Sequence, residues 1–179
     1  LGERLKTPLA VAGACRYGNP SVAAGLAELR GKGCDRILVI PLYPQYAAST
    51  TASAMDAVGA RLRGMRRVPA IRSIDCFHDD PAYIGALAHG IGDYWMKHGR
   101  PDRLVLSFHG LPRRVLELGD PYHCHCQKTA RLLARELGLD PTQYVLTFQS
   151  RFGKAEWLQP YTAEVLASLA REGAGRVDV

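Results

Sequence analysis

The sequence has no hydrophobic run long enough to cross a membrane, because its longest apolar stretches, such as residues 37–42, have only the length of a strand. The amino-terminal residues also lack the charged segment followed by an apolar segment that marks a secretion signal. Three common motifs are missing, namely Gly-x-Gly-x-x-Gly, the phosphate-binding loop and Gly-x-Ser-x-Gly. We therefore expect a soluble cytoplasmic protein, with no support for dinucleotide binding, phosphate-loop hydrolysis or serine hydrolysis.

Acidic residues are fewer than basic ones, which gives the 179 residues a formal net charge of +6. Such an excess favours an anionic partner, which on charge alone is nucleic acid, a lipid headgroup or an acidic small molecule. The densest basic run, residues 61–67, has two interpretations, a solvated helix end or a contact with a membrane or polyanion. With 47% hydrophobic residues, the chain is long enough for one large or two small globular domains.

Cysteine occurs five times, an odd count in a chain without a secretion signal, which favours thiols or metal ligands over disulfides. Cys124-His125-Cys126 suggests a metal site, but one intervening residue at a helix start points the two thiols in divergent directions. We therefore expect thiols there, with a metal or iron–sulfur site as the alternative. The other histidines, near or on one predicted helix, are given no functional role; they are His78, His89 and His98.

Strand-like and helix-like segments alternate along the chain. Six predicted strands cover residues 9–15, 36–41, 70–75, 103–108, 144–148 and 176–179. Amphipathic helices are predicted at 21–30 and 127–137, each followed by a glycine. This alternation predicts an α/β fold with parallel sheets flanked by helices. Because a helix ends near residues 97–101, we expect a first lobe at 1–98 and a second lobe at 99–179, both partial.

The chain also contains an internal repeat. A strand is followed by Arg16-Tyr17-Gly18 and a helix in the first half, and by Arg151-Phe152-Gly153 and a helix in the second. The pattern predicts two related lobes, each with an arginine at the carboxyl edge of a strand. In the first copy the final strand continues into a proline-rich turn, whereas in the second the sequence stops at Val179.

Several polar side chains follow the predicted strands, where open parallel sheets bind ligands. Those singled out are Arg16, Tyr17, Gln45, Tyr46, His109, Gln149, Ser150 and Arg151. Among them His109 has the sharpest chemistry, because a neutral imidazole can accept a proton or ligate a divalent metal. The alternative is a structural histidine that binds a loop carbonyl. We expect these polar side chains to converge on one crevice.

Several motifs resemble those of ferrochelatases, in order and over nearly the whole chain. They are Arg16-Tyr17-Gly18-Asn19-Pro20, Pro41-Leu42-Tyr43-Pro44-Gln45-Tyr46, Ser107-Phe108-His109-Gly110-Leu111-Pro112, Gly119-Asp120-Pro121-Tyr122, Gln149-Ser150-Arg151-Phe152-Gly153 and Trp157-Leu158-x-Pro160. The resemblance implies two Rossmann-like, chelatase-type lobes. It also implies a lyase of haem biosynthesis that inserts Fe²⁺ into protoporphyrin IX and releases two protons.

The resemblance further implies roles for individual residues. His109 would be the catalytic histidine that abstracts pyrrole protons or binds the metal, Arg16 and Tyr17 would line the cleft, and Trp157 would pack on the porphyrin. The expected partners are a porphyrin and ferrous iron. Contact with a membrane surface is left open, nucleic acid is not expected, and no oligomeric state is predicted. The rival interpretations are a cobalt or nickel chelatase of another tetrapyrrole and a non-catalytic tetrapyrrole-binding module.

Two departures from the family pattern limit what is carried over. Some ferrochelatases hold a [2Fe–2S] cluster with a cysteine at the position that is Ala48 here, so we expect no cluster and no other cofactor. The family's acidic residue opposite the histidine should lie beyond Val179, and its first strand should precede Leu1. We therefore expect this chain to be an internal fragment that is catalytically inactive by itself.

Overall fold

Two parallel β-sheets form the framework of the protein, which a computed structural model describes over residues 9–179. The sheets lie in separate units, Leu1–Cys76 and Phe77–Val179. In both units helices connect the strands, so the predicted α/β class with parallel sheets is confirmed. No helix among the described residues is both long and apolar enough to cross a bilayer.

The first unit is built on a two-stranded sheet. Its elements are α1 (Val22–Gly31), β1 (Arg36–Val39), α2 (Ser53–Leu62) and β2 (Ala70–Ser73), with a π-helical turn at Ala48–Ala52 leading into α2. The strands β1 and β2 pair in parallel, from Arg36 opposite Ala70 onwards. Leu26, Ile37 and Val58 are buried together, so one residue each from α1, β1 and α2 forms the core of this unit.

The second unit is built on a three-stranded sheet with β3 at its centre. Its elements are α3 (Pro81–His98), β3 (Arg103–His109), α4 (Arg113–Glu117), α5 (Tyr122–Glu136), β4 (Tyr144–Gln149), α6 (Thr162–Arg171) and β5 (Val177–Asp178). The strand order is β4-β3-β5, and both pairings are parallel. Leu104 and Val105 of β3 are buried, as a central strand covered on both faces requires.

The boundary between the units lies before α3, whereas the sequence placed the boundary of the lobes after it. Trp95 of α3 is buried against Leu133 of α5 and against Leu137, the residue that follows this helix. Its indole Nε1 donates a hydrogen bond to Asp178 Oδ2 of β5 at 2.9 Å. Because the apolar face of α3 and this hydrogen bond both involve elements that follow it, the helix belongs with the second sheet.

Most predicted elements are present, with strand ends that differ by one or two residues. The predicted strand at 9–15 is wrong. These residues make only a single bridge, from Cys15 to Ser21, and an apolar segment forms a strand only where an adjacent segment pairs with it. The helix α5 begins at Tyr122 and not at residue 127. Asp120 accepts a hydrogen bond from the backbone N–H of Tyr122 at 3.0 Å, which satisfies one helix-start donor earlier than the apolar pattern indicated.

The two units share a local arrangement that supports the predicted repeat. In the first unit the N–H of Cys15 donates to the carbonyl of Pro20 at 2.7 Å, just before α1. In the second unit the N–H of Phe148 donates to the carbonyl of Pro160 at 2.8 Å, just before α6. Cys15 therefore corresponds to Phe148, and the intervening loop is much longer in the second unit. This equivalence places Arg16 one residue after the bridge but Arg151 three residues after it.

Phe148 lies at the centre of the second unit, and its replacement tests the packing of that core. Its side chain is 1% exposed and packs with Cys126, Ala130, Leu146 and Leu158. We expect Phe148→Ala to lower the free energy of unfolding by about 3–5 kcal/mol, since it removes a buried ring and leaves a cavity. Urea denaturation followed by circular dichroism measures this loss.

The matched control is Phe152→Ala, because Phe152 is 75% exposed and only its edge-to-face contact with Trp157 is lost. Its cost should stay below about 1.5 kcal/mol. Equal losses for the two variants would show that Phe148 does not hold the core together.

Candidate active site

His109 is the last residue of β3, and its side chain is exposed at the carboxyl end of the sheet. The register pairs His109 with Gln149, the last residue of β4. The chain then leaves the sheet at Gly110, whose N–H donates to the carbonyl of Gln149 at 2.8 Å. The predicted position of this histidine on the rim of a parallel sheet is therefore confirmed.

The backbone of His109 is fixed from a second direction by Tyr122. The phenol of Tyr122 donates a hydrogen bond to the carbonyl of His109 at 2.9 Å. Burial raises the pKa of the phenol well above its ordinary value, so the hydroxyl stays protonated and remains a donor at neutral pH. Tyr122 belongs to a motif noted in the sequence, but no periodicity or spacing indicated that it would hold His109.

Gly110 is buried at a point where no side chain fits. A Cβ at this position would lie 2.7 Å from the carbonyl oxygen of Gln149 and 3.1 Å from Cε3 of Trp157. The first distance is shorter than carbon–oxygen contact allows, and its partner is backbone. Glycine is thus required at position 110, because the backbone of Gln149 and the ring of Trp157 approach closely there.

Trp157 is 5% exposed and lies within the second unit. The backbone around it pairs with the chain that follows β3, since the N–H of Leu158 donates to the carbonyl of Leu111 at 2.9 Å. The ring contacts Phe152 edge to face, with 4.9 Å between the centroids. Of this aromatic pair, Phe152 has the greater exposure, at 75%. The porphyrin contact implied for Trp157 stays a prediction, and Phe152 joins it as an aromatic surface beside the site.

Gln149 ends β4, Ser150 and Arg151 follow it, and all three residues are exposed. Ser150 has a φ of 69°, a left-handed conformation that turns the chain sharply away from the sheet. The guanidinium of Arg151 lies over the ring of Tyr161, 4.8 Å from its centroid. The second unit therefore brings His109, Gln149 and Trp157 together, with Ser150 and Arg151 on the loop that continues from β4.

In the first unit, Arg16 and Tyr17 lie next to each other on the loop before α1. Arg16 Nε donates to the carbonyl and to Oγ of Ser53, at 2.8 Å and 2.9 Å. Its guanidinium also stacks over the ring of Tyr17, 4.5 Å from the centroid, while Tyr17 is 76% exposed. Nothing in the sequence singled out Ser53, which fixes Arg16 from the start of α2.

An open cleft of about 530 Å³ lies in the first unit beside Arg16. Its lining includes Cys15, Asp56, Arg61 and Arg63. Part of the basic run therefore borders a concave surface together with the predicted arginine. Gln45 is buried and Tyr46 is half-buried on the segment before the π-helical turn. The convergence of all the predicted residues on one crevice stays a prediction.

None of the five cysteines forms a disulfide, as expected from their number. Cys124 and Cys126 lie on the same helix, but Cys124 is exposed and Cys126 is completely buried. The predicted divergence of these two thiols is therefore confirmed. Burial raises the pKa of Cys126 to about 12, so its thiol is protonated at neutral pH.

Comparison with known proteins identifies the family to which these motifs point. The ferrochelatase family model matches residues 1–179. The ferrochelatase of Aromatoleum aromaticum is 58% identical over 179 residues, covering 100% of this chain and 49% of that protein. The ferrochelatase of Azoarcus sp. is 60% identical over 166 residues, covering 93% of this chain and 46% of that protein. The chain spans about half the length of the curated relatives it matches.

A solved structure shares the fold at low sequence identity. SirB from Bacillus subtilis with Fe³⁺ matches with a TM-score of 0.64 and 19% identity, covering 87% of this chain and 56% of that one. The likeness confirms the predicted chelatase-type architecture.

A pair of glycine variants tests the close packing behind His109. Gly110→Ala should destabilise the protein by about 1–3 kcal/mol, because the new methyl group meets the backbone of Gln149. In contrast, a Cβ on Gly92 of α3 meets nothing within 4 Å, so Gly92→Ala should stabilise by up to about 1 kcal/mol. Thermal unfolding of the two variants makes the comparison, and a neutral Gly110→Ala would contradict the packing described.

The two thiols of α5 should differ in reactivity. Iodoacetamide reacts with the thiolate, so in the folded protein exposed Cys124 should be alkylated much faster than Cys126, whose pKa burial raises to about 12. Mass spectrometry of timed samples measures both rates. In denaturant the difference should disappear. Similar rates in the folded state would mean that Cys126 is not buried in solution.

Proposed function

Because the chain belongs to the ferrochelatase family, we propose that it serves the insertion of Fe²⁺ into protoporphyrin IX, a lyase reaction that forms protohaem. The reaction joins one dication to a macrocycle with two pyrrole N–H groups and releases two protons, so no oxidant or reductant is consumed. The observation that carries the proposal is the exposed imidazole of His109 at the carboxyl end of β3.

His109 supplies the group that this chemistry needs on the protein. An imidazole lone pair can take a proton from a pyrrole nitrogen, and the same lone pair can hold an incoming dication. The lone pair binds a proton in the first task and the metal ion in the second, so one exposed ring can perform both, one after the other. Water at the rim of the sheet gives the accepted proton a way out.

The surroundings of His109 support catalysis by fixing its position before the substrate arrives. Its carbonyl accepts from the Tyr122 phenol, and the next residue, Gly110, donates to Gln149. A base whose backbone is held at two adjacent points loses little freedom when it reaches the transition state. Tyr122 is therefore a positioning residue for His109.

Cationic and aromatic groups in both units suit the rest of the substrate. Protoporphyrin IX carries two propionates, and guanidinium groups pair with carboxylates through two parallel hydrogen bonds. Arg16 is bound to Ser53 through Nε, so its two terminal nitrogens are the atoms for such a pair. Arg151 is exposed and follows β4 directly after Ser150. Tyr17 and Phe152 add exposed rings for the flat macrocycle.

The proposed reaction needs no resident cofactor, since both the metal and the macrocycle are substrates. Some members of the family hold a [2Fe–2S] cluster, with a cysteine at the position that is Ala48 here. Ala48 offers no ligand atom and lies in the π-helical turn. We therefore assign the cluster no part in the reaction.

The proposed function can be tested in a chimera that has the full length of a curated relative. These 179 residues replace the matched segment of the Aromatoleum aromaticum ferrochelatase, which is 58% identical. The chimera should insert Fe²⁺ into protoporphyrin IX under anaerobic conditions. His109→Ala in the chimera should lower the insertion rate by at least about 100-fold, because it removes the general base. Porphyrin binding, followed by fluorescence, should stay within severalfold.

The matched control is His89→Ala, since His89 is an exposed histidine on α3 and lies outside the proposed site. This variant should keep the rate of the chimera. Insertion that survives His109→Ala would exclude the imidazole from the mechanism. A folded chimera that binds porphyrin without inserting iron would show these residues to be a binding module.

A further inference from the structure

The second unit also contains a pair of histidines outside the strands of its sheet. His78 is in the loop before α3, and His125 is in the first turn of α5. Their rings stack with 3.7 Å between centroids and 7° between planes. A ring nitrogen of each lies within 4.8 Å of the other. From the sequence, His78 is assigned no role, and His125 enters only as part of Cys124-His125-Cys126.

The buried ring of His78 has a nitrogen without a partner. His78 is 6% exposed, and its Nδ1 makes no hydrogen bond in the described part of the chain. The nearest carboxylate oxygen, Asp79 Oδ1, is 3.9 Å away, which is too far for a hydrogen bond. Leaving a buried polar nitrogen unsatisfied is costly, so such an atom indicates a ligand that belongs there.

The charge state of both rings suits metal binding. Burial lowers the pKa of His78, with a further contribution from His125, and burial also lowers the pKa of His125. The neutral form of each imidazole carries the lone pair that a metal ion requires. Two neutral rings can also stack closely without the repulsion that two imidazolium ions would suffer.

The surrounding charges partly balance each other. Lys128 disfavours a cation, since it lowers the pKa of both histidines. Its ammonium group is paired with Asp79, so a carboxylate stands beside the site to offset the added charge. The backbone of His78 is fixed as well, because Thr129 Oγ1 donates to its carbonyl at 2.7 Å.

From these observations we propose that His78 and His125 are two ligands of a binding site for a divalent transition-metal ion of the Zn²⁺ type. Two nitrogens bound to one zinc ion lie about 3.4 Å apart, given bonds of about 2.0–2.1 Å and tetrahedral angles. The stacked rings must therefore rotate so that both lone pairs meet at one point. Imidazole ligands select zinc and its neighbours over Mg²⁺ and Ca²⁺.

The proposed site uses different residues from the proposed reaction, because neither histidine lies on a strand of the sheet. The metal is held by the protein and is not transferred to the macrocycle. Since it joins the loop before α3 to α5, its binding should stabilise the second unit.

The test uses the whole chain with His109→Ala, so that metal binding at the rim of the sheet does not contribute. Titration with Zn²⁺ in a calorimeter should show one ion bound per chain, and the thermal unfolding temperature should rise with zinc. In the added variant His125→Ala the affinity should fall by about tenfold or more, and the rise in unfolding temperature should disappear. His125 is only half-buried, whereas His78 is buried. His125→Ala should therefore disturb folding less than His78→Gln would.

The control is His89→Ala in the same background, which removes an exposed histidine and should leave zinc binding unchanged. Replacement of zinc by Co²⁺ should give the visible bands of a tetrahedral site, absent in His125→Ala. Absence of stoichiometric zinc binding in the parent would overturn the proposal. Equal affinities of the parent and His125→Ala would do so as well, because the bound ion would then lie on other side chains.

Discussion

The parallel pairing of β3 with β4 is the interaction on which the candidate active site depends. It runs without interruption from Leu104 opposite Tyr144 to His109 opposite Gln149. The pairing continues one step beyond the strand, where Gly110 donates to the Gln149 carbonyl at 2.8 Å. Because this last bond lies directly after the histidine, the position of the imidazole is set by the register of the whole ladder. Shifting the register by one residue would turn His109 to the opposite face.

The two units share one local hydrogen-bond arrangement, but the loops that it closes differ in length. A backbone N–H donates to a proline carbonyl just before a helix, from Cys15 in the first unit and from Phe148 in the second. The first loop is short and keeps Arg16 close to the helix start. The second loop is long enough to return to the chain after β3, where Leu158 donates to Leu111. A duplicated framework thereby places an arginine in one unit and an aromatic pair beside His109 in the other.

The sequence was informative where one local pattern dictates the structure. Apolar strands ending in polar residues, together with the helix signals, were sufficient to predict a parallel α/β fold and the rim position of His109. The absence of a strand at residues 9–15 could not be predicted, since strand pairing depends on an adjacent segment that local composition does not reveal. Ser53 and Tyr122 were missed for a related reason: each holds a residue elsewhere in the sequence through hydrogen bonds that no local pattern reveals.

Three histidines show how environment gives one residue type different chemistry. His109 is exposed at the end of a strand, so its imidazole can exchange protons with water and meet a substrate. His78 and His125 are removed from water to different degrees, and burial lowers the pKa of both rings. A neutral buried ring is a poor proton carrier, because its charged form is disfavoured, but it is a good metal ligand. The exposed ring therefore suits the proposed proton transfer, whereas the buried pair suits the proposed ligation of a different ion within the same unit.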